Sequence, residues 1–351
     1  MKILIFINTL TLGGAERQVV QDANALANRN HTVTVCFGVE GPLIEHINPL
    51  VKTVNLRTKS QLTAFVKLYR IVKRQDIDVV LSHGFWANKV AALACLLSNT
   101  KLFTFEHGLG LWRKWYHIAL SKMVSFKSSA VVTCSYENKR QKIYREKISE
   151  KKLIVIHNSF DNQKISREIA KEEDGDKFKI GFAGRFNKVK QLHLLVEVAL
   201  IMQKKGYDFQ FILLGSGTEK ENLETLAKDN GVIDNFVFHG YVPNPYDFLP
   251  NFDCFVLPSL REDFSLALLE ASYAGLPCVA FDVGGNKEIV EDNQTGYIIT
   301  PFDTNQMAFR IIDMINNPKR TKEMGQRARK KVQNSFSIEK RVENLENLIL
   351  P

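Results

Sequence analysis

Cysteine, tryptophan, long apolar runs and metal-ligand spacings are all scarce in this sequence. The five cysteines are an odd number with no C-x-x-C pair, which excludes a small disulfide-built scaffold. Cys36, Cys95, Cys134, Cys254 and Cys278 lie in apolar runs, as buried reduced thiols do, and imply a reducing compartment. No stretch approaches the ~20 apolar residues that span a bilayer. Residues 1–12 carry one lysine, lack an A-x-A site and run straight into Gly13-Gly14, so they read as a buried first strand rather than a signal peptide. His31, His46, His117, His157, His193 and His239 show no metal-ligand spacing, which argues against zinc. No G-x-G-x-x-G follows the first strand, which argues against a dinucleotide site. Apolar residues make up 45% and charged residues 24%, too balanced for a disordered chain.

What is present is uneven in charge. Residues 1–157 hold 23 Lys/Arg against 10 Asp/Glu, whereas residues 158–351 hold 24 against 28. A basic half joined to a slightly acidic one suggests that the first half faces an anionic surface, with nucleic acid and acidic lipid both candidates. Short apolar runs at 3–7, 32–37, 77–81, 101–105, 130–133 and 153–156 alternate with helix-length segments at 14–29, 60–74, 86–98 and 112–126. After a polar stretch at 161–177 the rhythm resumes, with runs at 178–183, 209–214, 235–239, 253–257, 277–281 and 296–299. Alternation of this kind implies two doubly wound Rossmann-like α/β domains with parallel sheets. The expected domains are 1–165 and 166–334, with a C-terminal helix at 335–351 packing back toward the first. Ligands of such sheets bind beyond the carboxyl ends of the strands, so the loops there carry the functional reading.

Five loops stand out. Gly13-Gly14-Ala15-Glu16-Arg17 joins the first strand to the first helix, where paired glycines let backbone approach a ligand and a helix N-terminus offers free N–H groups; the same pair also serves a plain structural turn. Glu106-His107-Gly108 ends a strand with a group able to donate to a substrate oxygen, or simply to cap the strand, and His83 follows a neighbouring strand in the same way. Gly184-Arg185-Phe186-Asn187-Lys188-Val189-Lys190 places two cations beside a helix start, which suits a diphosphate, although a solvated basic loop has the same composition. Pro258 to Ala271 carries Glu262 in a loop and Glu270 two turns into a Leu/Ala-rich helix. Eight helical residues rise ~12 Å, a spacing that fits two ends of one elongated ligand better than an acid/base pair. Asp282-Val283-Gly284-Gly285-Asn286-Lys287-Glu288 repeats the glycine-turn pattern.

Taken together, these motifs resemble family 4 of the retaining glycosyltransferases, which have the GT-B fold: two Rossmann-like domains facing across a deep cleft. The resemblance covers essentially the whole chain. It implies that the second domain binds a nucleotide-diphospho-sugar of the UDP type, and the first an acceptor. Carried onto matching positions, it implies Glu270 at the ribose hydroxyls and Glu262 at the donor sugar. Arg185 and Lys190 would hold the diphosphate, His107 would contact the sugar, and the Gly13-Gly14 loop would close over phosphates and acceptor. The resemblance also implies Phe264, Ser265 and Leu266 at the nucleotide-sugar and Glu16, Arg17 and His83 on the acceptor side. The family pattern E-G-F-G is here Glu262-Asp263-Phe264-Ser265, and Asn-Gly-Val-Asp is Asn158-Ser159-Phe160-Asp161. Enzymes of this kind need no metal or other cofactor at the diphosphate. The strings Asp76-Ile77-Asp78 and Asp174-Gly175-Asp176 are therefore read as chance.

Residues 110–127, with Trp112, Trp115, Arg113, Lys114, Lys122 and Lys127, and residues 65–74 are both basic and amphipathic. Such stretches lie in membrane interfaces or cover sheets. With the basic first half, they lead to the expectation of a cytoplasmic enzyme docked peripherally on the inner membrane face and extending a lipid-linked saccharide of a bacterial surface polysaccharide. A nucleotide-sugar 2-epimerase of the same architecture and a glycosyltransferase with a small soluble acceptor are the alternatives. No nucleic-acid-binding motif is present, so nucleic acid is not expected as a partner.

Overall fold

In the computed structural model, residues 1–160, 177–242 and 244–350 are described. The apolar runs of the first half pair as seven parallel strands: β1 (Lys2–Thr9), β2 (Thr32–Val39), β3 (Lys52–Asn55), β4 (Val79–His83), β5 (Lys101–Glu106), β6 (Ala130–Thr133) and β7 (Leu153–Val155). Their order is β3-β2-β1-β4-β5-β6-β7. Side chains alternate across the sheet. Ile3, Ile5 and Ile7 of β1 enter one core with α1 (Gly14–Asn28), and Leu4 and Phe6 enter the other with α2 (Gln61–Arg74) and α3 (Phe85–Ser98). Two further helices, α4 (Trp115–Lys127) and α5 (Tyr136–Tyr144), follow β5 and β6. Strand β3 and helix α5 escaped the sequence reading because neither is an apolar run, and α4 begins three residues later than expected.

The second half forms six strands in the order β10-β9-β8-β11-β12-β13. They are β8 (Phe178–Ala183), β9 (Phe209–Leu214), β10 (Phe236–Gly240), β11 (Cys254–Leu257), β12 (Cys278–Phe281) and β13 (Gly296–Ile299). Helices α6 (Leu194–Lys204), α7 (Lys220–Asp229), α8 (Leu266–Tyr273), α9 (Asn286–Ile289), α10 (Thr304–Asn316) and α11 (Pro318–Ser335) complete this unit. Cores made of Phe, Ile, Leu and Val on both faces explain the continuous apolar strands. All five cysteines are buried, and none forms a disulfide. Burial pushes the Cys36, Cys95 and Cys278 thiols up to about 12, so they stay protonated.

The chain divides into Met1–Ser159 with Ile338–Pro351, and Phe160–Ser337. The expected boundary at 165/166, the polar stretch, Asp161 and Asp174-Gly175-Asp176 lie outside the described residues, apart from Lys177. The last helix, α12 (Ile338–Ile349), belongs to the first unit. Val342, Leu345 and Ile349 enter the core beside α1. Buried Arg341 binds both carboxylate oxygens of Asp22 on α1, at 2.6 and 2.7 Å, and donates to the carbonyls of Ile156 and His157. Asp22 also accepts from Gln18, which holds Ser159. A buried ion pair with every polar group partnered fixes one arrangement of α12 on α1.

Candidate active site

Both sheets reverse their strand order once, between β1 and β4 and between β8 and β11. Ligands of open parallel sheets bind at such switch points. In the second unit the loop after β8 carries Arg185 and Lys190, and the loop after β11 carries Glu262. The Leu260 N–H donates to the Val189 carbonyl at 2.8 Å, clamping the two loops together. Lys190 Nζ then meets Glu262 Oε1 at 2.6 Å, with both side chains mostly buried. The sequence assigned these two groups to different parts of a ligand; the fold brings them into one ion pair. Asn187 caps the turn Lys188–Lys190 by accepting from the Val189 and Lys190 N–H groups, which holds Lys190 in place.

Ser265 caps α8, its hydroxyl accepting from the Leu268 N–H. Buried Phe264 packs edge-on against Phe336, and Leu266 opens the helix. Glu270 lies one turn into α8, not two, and is buried. The Asp263 carbonyl accepts from the Gly285 N–H at 2.8 Å. Gly284 has φ +55°, and a Cβ there would lie 1.7 Å from the Glu262 carbonyl oxygen. These glycines allow the loop after β12 to press against the backbone that presents Glu262.

A further loop went unnoticed in the sequence. Gly215-Ser216-Gly217 follows β9, and its Ser216 carbonyl accepts from the Phe186 N–H. A Cβ on Gly215 would sit 1.8 Å from the Gly184 carbonyl oxygen, and one on Gly217 2.2 Å from that of Phe186. Two glycines one residue apart at a strand's carboxyl end were the available signal. The four loops after β8, β9, β11 and β12 thus form one mutually hydrogen-bonded rim.

In the first unit, His83 at the end of β4 and His107 just after β5 stack, with His83 Nδ1 and His107 Nε2 2.9 Å apart. One ring must donate and the other accept, which couples their tautomers. The outer nitrogens, His83 Nε2 and His107 Nδ1, are buried and unpartnered. Burial, reinforced by Arg341, lowers His107 to about 4; burial, His107 and Arg341 hold His83 well below its ordinary value. Both imidazoles are neutral at neutral pH, which suits hydrogen bonding to a hydroxyl. Glu106, next to His107, is anchored in a buried quartet: Arg113 at 2.5 Å, Lys142 at 2.8 Å, and Glu146 bound to both cations. Burial alone would raise the Glu106 carboxyl, but Lys142 and Arg113 outweigh it and bring it down to about 2. Sequence reasoning missed this quartet because its members are scattered over forty-odd positions and read as solvated charge.

Gly13 is the extended residue before α1, whose N-terminus has no side-chain cap, and Gly14 opens the helix. Glu16 accepts from the Thr9 and Thr11 hydroxyls, folding the glycine loop back on β1; Arg17, half-buried, holds helical spacing through its N–H to the Gly13 carbonyl. Asp76 and Asp78 lie at the amino end of β4, where Asp78 accepts from the Lys2 N–H, so they are at the opposite end of that strand from His83. Two expectations about the basic stretches are corrected. Arg113 lies in the quartet and not at the surface. The apolar stripe of α2 (Ala64, Leu68, Val72) is buried core, leaving residues 65–74 as a sheet cover. Among the described residues, no group of three or more His, Cys, Asp or Glu is placed to hold a metal, and no helix is long and apolar enough to cross a membrane.

Two family models tile the chain: residues 12–164 match Glycosyltransferase Family 4, and residues 163–331 match Glycosyl transferases group 1. The chain belongs to the family 4 glycosyltransferases of GT-B fold. This glycosyltransferase is 24% identical over 97% of its length to UDP-Gal:alpha-D-GlcNAc-diphosphoundecaprenol alpha-1,3-galactosyltransferase of Escherichia coli, covering 94% of that protein. It is 25% identical over 87% of its length to the capsular polysaccharide biosynthesis glycosyltransferase CapM of Staphylococcus aureus, covering 84% of it. Anabaena Alr3699/HepE, solved in complex with UDP, shares the fold: TM-score 0.88, 19% identity, 99% of each chain covered.

Proposed function

We propose that the glycosyltransferase moves a hexose or N-acetylhexosamine from a UDP-linked donor to a lipid-linked saccharide, with retention at the anomeric carbon, at the inner face of the cell membrane. The observation that carries the reading is the four-loop rim of the second unit, with Lys190, Arg185 and the α8 N-terminus at one end and Glu270 four residues along α8. A diphosphate at the cationic end places negative charge where Lys190, Arg185 and helix N–H groups can meet it, and no metal is needed there. Glu270, in an apolar helix, suits ribose hydroxyls as partners. Relatives named for a UDP-galactose donor with a diphosphoundecaprenol-linked acceptor, and for capsular polysaccharide synthesis, support the substrate class.

The reaction breaks the bond between the anomeric carbon and the donor's phosphate oxygen. It forms a bond from the acceptor hydroxyl oxygen to that carbon on the same face, and the hydroxyl proton passes to the departing phosphate. Arg185 and Lys190 stabilise the charge that grows on the diphosphate as it leaves. Glu262, held by Lys190, accepts hydrogen bonds from donor-sugar hydroxyls. A screen of nucleotide sugars against a lipid-linked saccharide tests the reading. Transfer from a UDP-sugar is expected; release of an isomerised free sugar without acceptor would point to an epimerase.

A further inference from the structure

Helix α4 is turned inside out. The residues it buries are Ser121 and Ser125. Trp115, Met123 and Phe126, by contrast, are 79%, 71% and 87% exposed. Positions 115, 119, 122 and 126 share one helical face, with 116 and 123 beside them, and all six are exposed. A soluble helix normally buries its large apolar side chains and leaves serine outside. The arrangement repeats on neighbouring α3: Ala87, Ala91, Ala94 and Cys95 face the core, while Trp86, Leu93, Leu96 and Leu97 are exposed. An aromatic chain joins the two helices, with Trp86 and Trp112 both edge-on to His117 at 5.9 and 5.0 Å.

The charge on this face has one sign. Neither helix contains an Asp or Glu, whereas Lys89, Lys122 and Lys127 lie on them and Lys114 precedes α4. Lys89 Nζ sits 4.8 Å from the centre of the Trp86 ring. Isologous pairing of two copies would set lysines against lysines, with no carboxylate on either helix to answer them. An apolar sheet of solvent topped by anions has no such conflict. Trp115 and Phe126 are eleven residues apart, or ~16 Å along the axis, so α4 would lie flat rather than insert end-on.

We infer that the α3–α4 face seats on a lipid bilayer with anionic headgroups, its large side chains at the acyl boundary and its lysines at the phosphates. The inference rests on the transferase reading only for its purpose, the capture of a lipid-linked acceptor. All three tryptophans of the chain, Trp86, Trp112 and Trp115, lie on this face, so intrinsic fluorescence reports on it alone. The full chain should sediment with phosphatidylcholine vesicles containing a quarter phosphatidylglycerol at low salt, and much less with phosphatidylcholine alone. Its emission should shift to the blue and be quenched by lipids brominated on their acyl chains. Phe126→Ser should weaken binding. So should Lys122→Glu, by roughly twenty-five-fold, since each cation near an anionic surface contributes about fivefold and reversal acts twice. Both side chains are exposed, so both variants should keep the wild-type melting temperature and full transfer to an acceptor dispersed in detergent. No sedimentation with anionic vesicles, or binding without tryptophan quenching, overturns the inference. So does a dimer in sedimentation velocity that Phe126→Ser abolishes while vesicles fail to bind. Vesicle binding without transfer from any UDP-sugar would instead refute the proposed donor and leave this inference standing.

Discussion

Glu262→Gln should tighten binding of UDP while slowing sugar transfer. The carboxylate neutralises Lys190 across 2.6 Å and stands beside the place proposed for the diphosphate. Glutamine keeps an oxygen acceptor at the same position, so the loop clamp between Leu260 and Val189 should survive. The electrostatic gain follows from Coulomb's law. A carboxylate ~6 Å from one added phosphate charge, at an effective dielectric of ~40 for groups at a rim, costs ~1.4 kcal/mol. Removing it corresponds to about tenfold in affinity. Transfer should fall because a neutral amide makes weaker hydrogen bonds to sugar hydroxyls than a carboxylate does. Calorimetric titration with UDP at two salt concentrations, beside initial rates with the UDP-sugar, reads both quantities, and the gain should shrink in high salt. UDP affinity left unchanged or weakened by Glu262→Gln would refute the placement of the diphosphate at Lys190.

Other substitutions separate the roles of the rim and of the framework. Arg185→Ala and Lys190→Ala should each lower kcat more than they weaken UDP binding, because their charge matters most as the diphosphate departs, whereas Glu270→Ala should mainly weaken UDP binding; equal losses of UDP affinity in all three would show that this division is wrong. Gly284→Ala should cost at least ~1 kcal/mol in thermal or denaturant unfolding, since its φ of +55° is strained for alanine and the Glu262 backbone must also move. Asp22→Ala should cost ~3–5 kcal/mol by leaving the Arg341 guanidinium buried without a counter-ion, and Asp22→Leu with Arg341→Met should recover much of that; a double variant no better than Asp22→Ala would mean the pair contributes by something other than its charge.

The parts of this molecule that were legible in the sequence are those written in contiguous residues. Strands buried on both faces announce themselves as apolar runs, and loops at their carboxyl ends carried Arg185, Lys190, Glu262 and His107 in plain view. β3 was invisible because Lys52 to Asn55 form a half-exposed edge strand, and α5 because its sequence is almost wholly polar. The Lys190–Glu262 pair could not be read at a separation of 72 positions. Nor could the Glu106–Arg113–Lys142–Glu146 quartet, whose residues look like ordinary surface charge until the fold encloses them. Composition marked residues 110–127 as amphipathic but could not say which side faces in. The packed side of α4 is the one that carries buried Ser121 and Ser125 and half-buried Val124.

The most direct test of sugar transfer with retention is the anomeric configuration of the product. Purified enzyme, a UDP-α-sugar and a lipid-linked saccharide should yield a new α-linkage, visible by proton NMR as a small H1–H2 coupling for a gluco- or galacto-configured sugar. A β-linked product would contradict retention, and no transfer from any UDP-sugar would contradict the proposed donor.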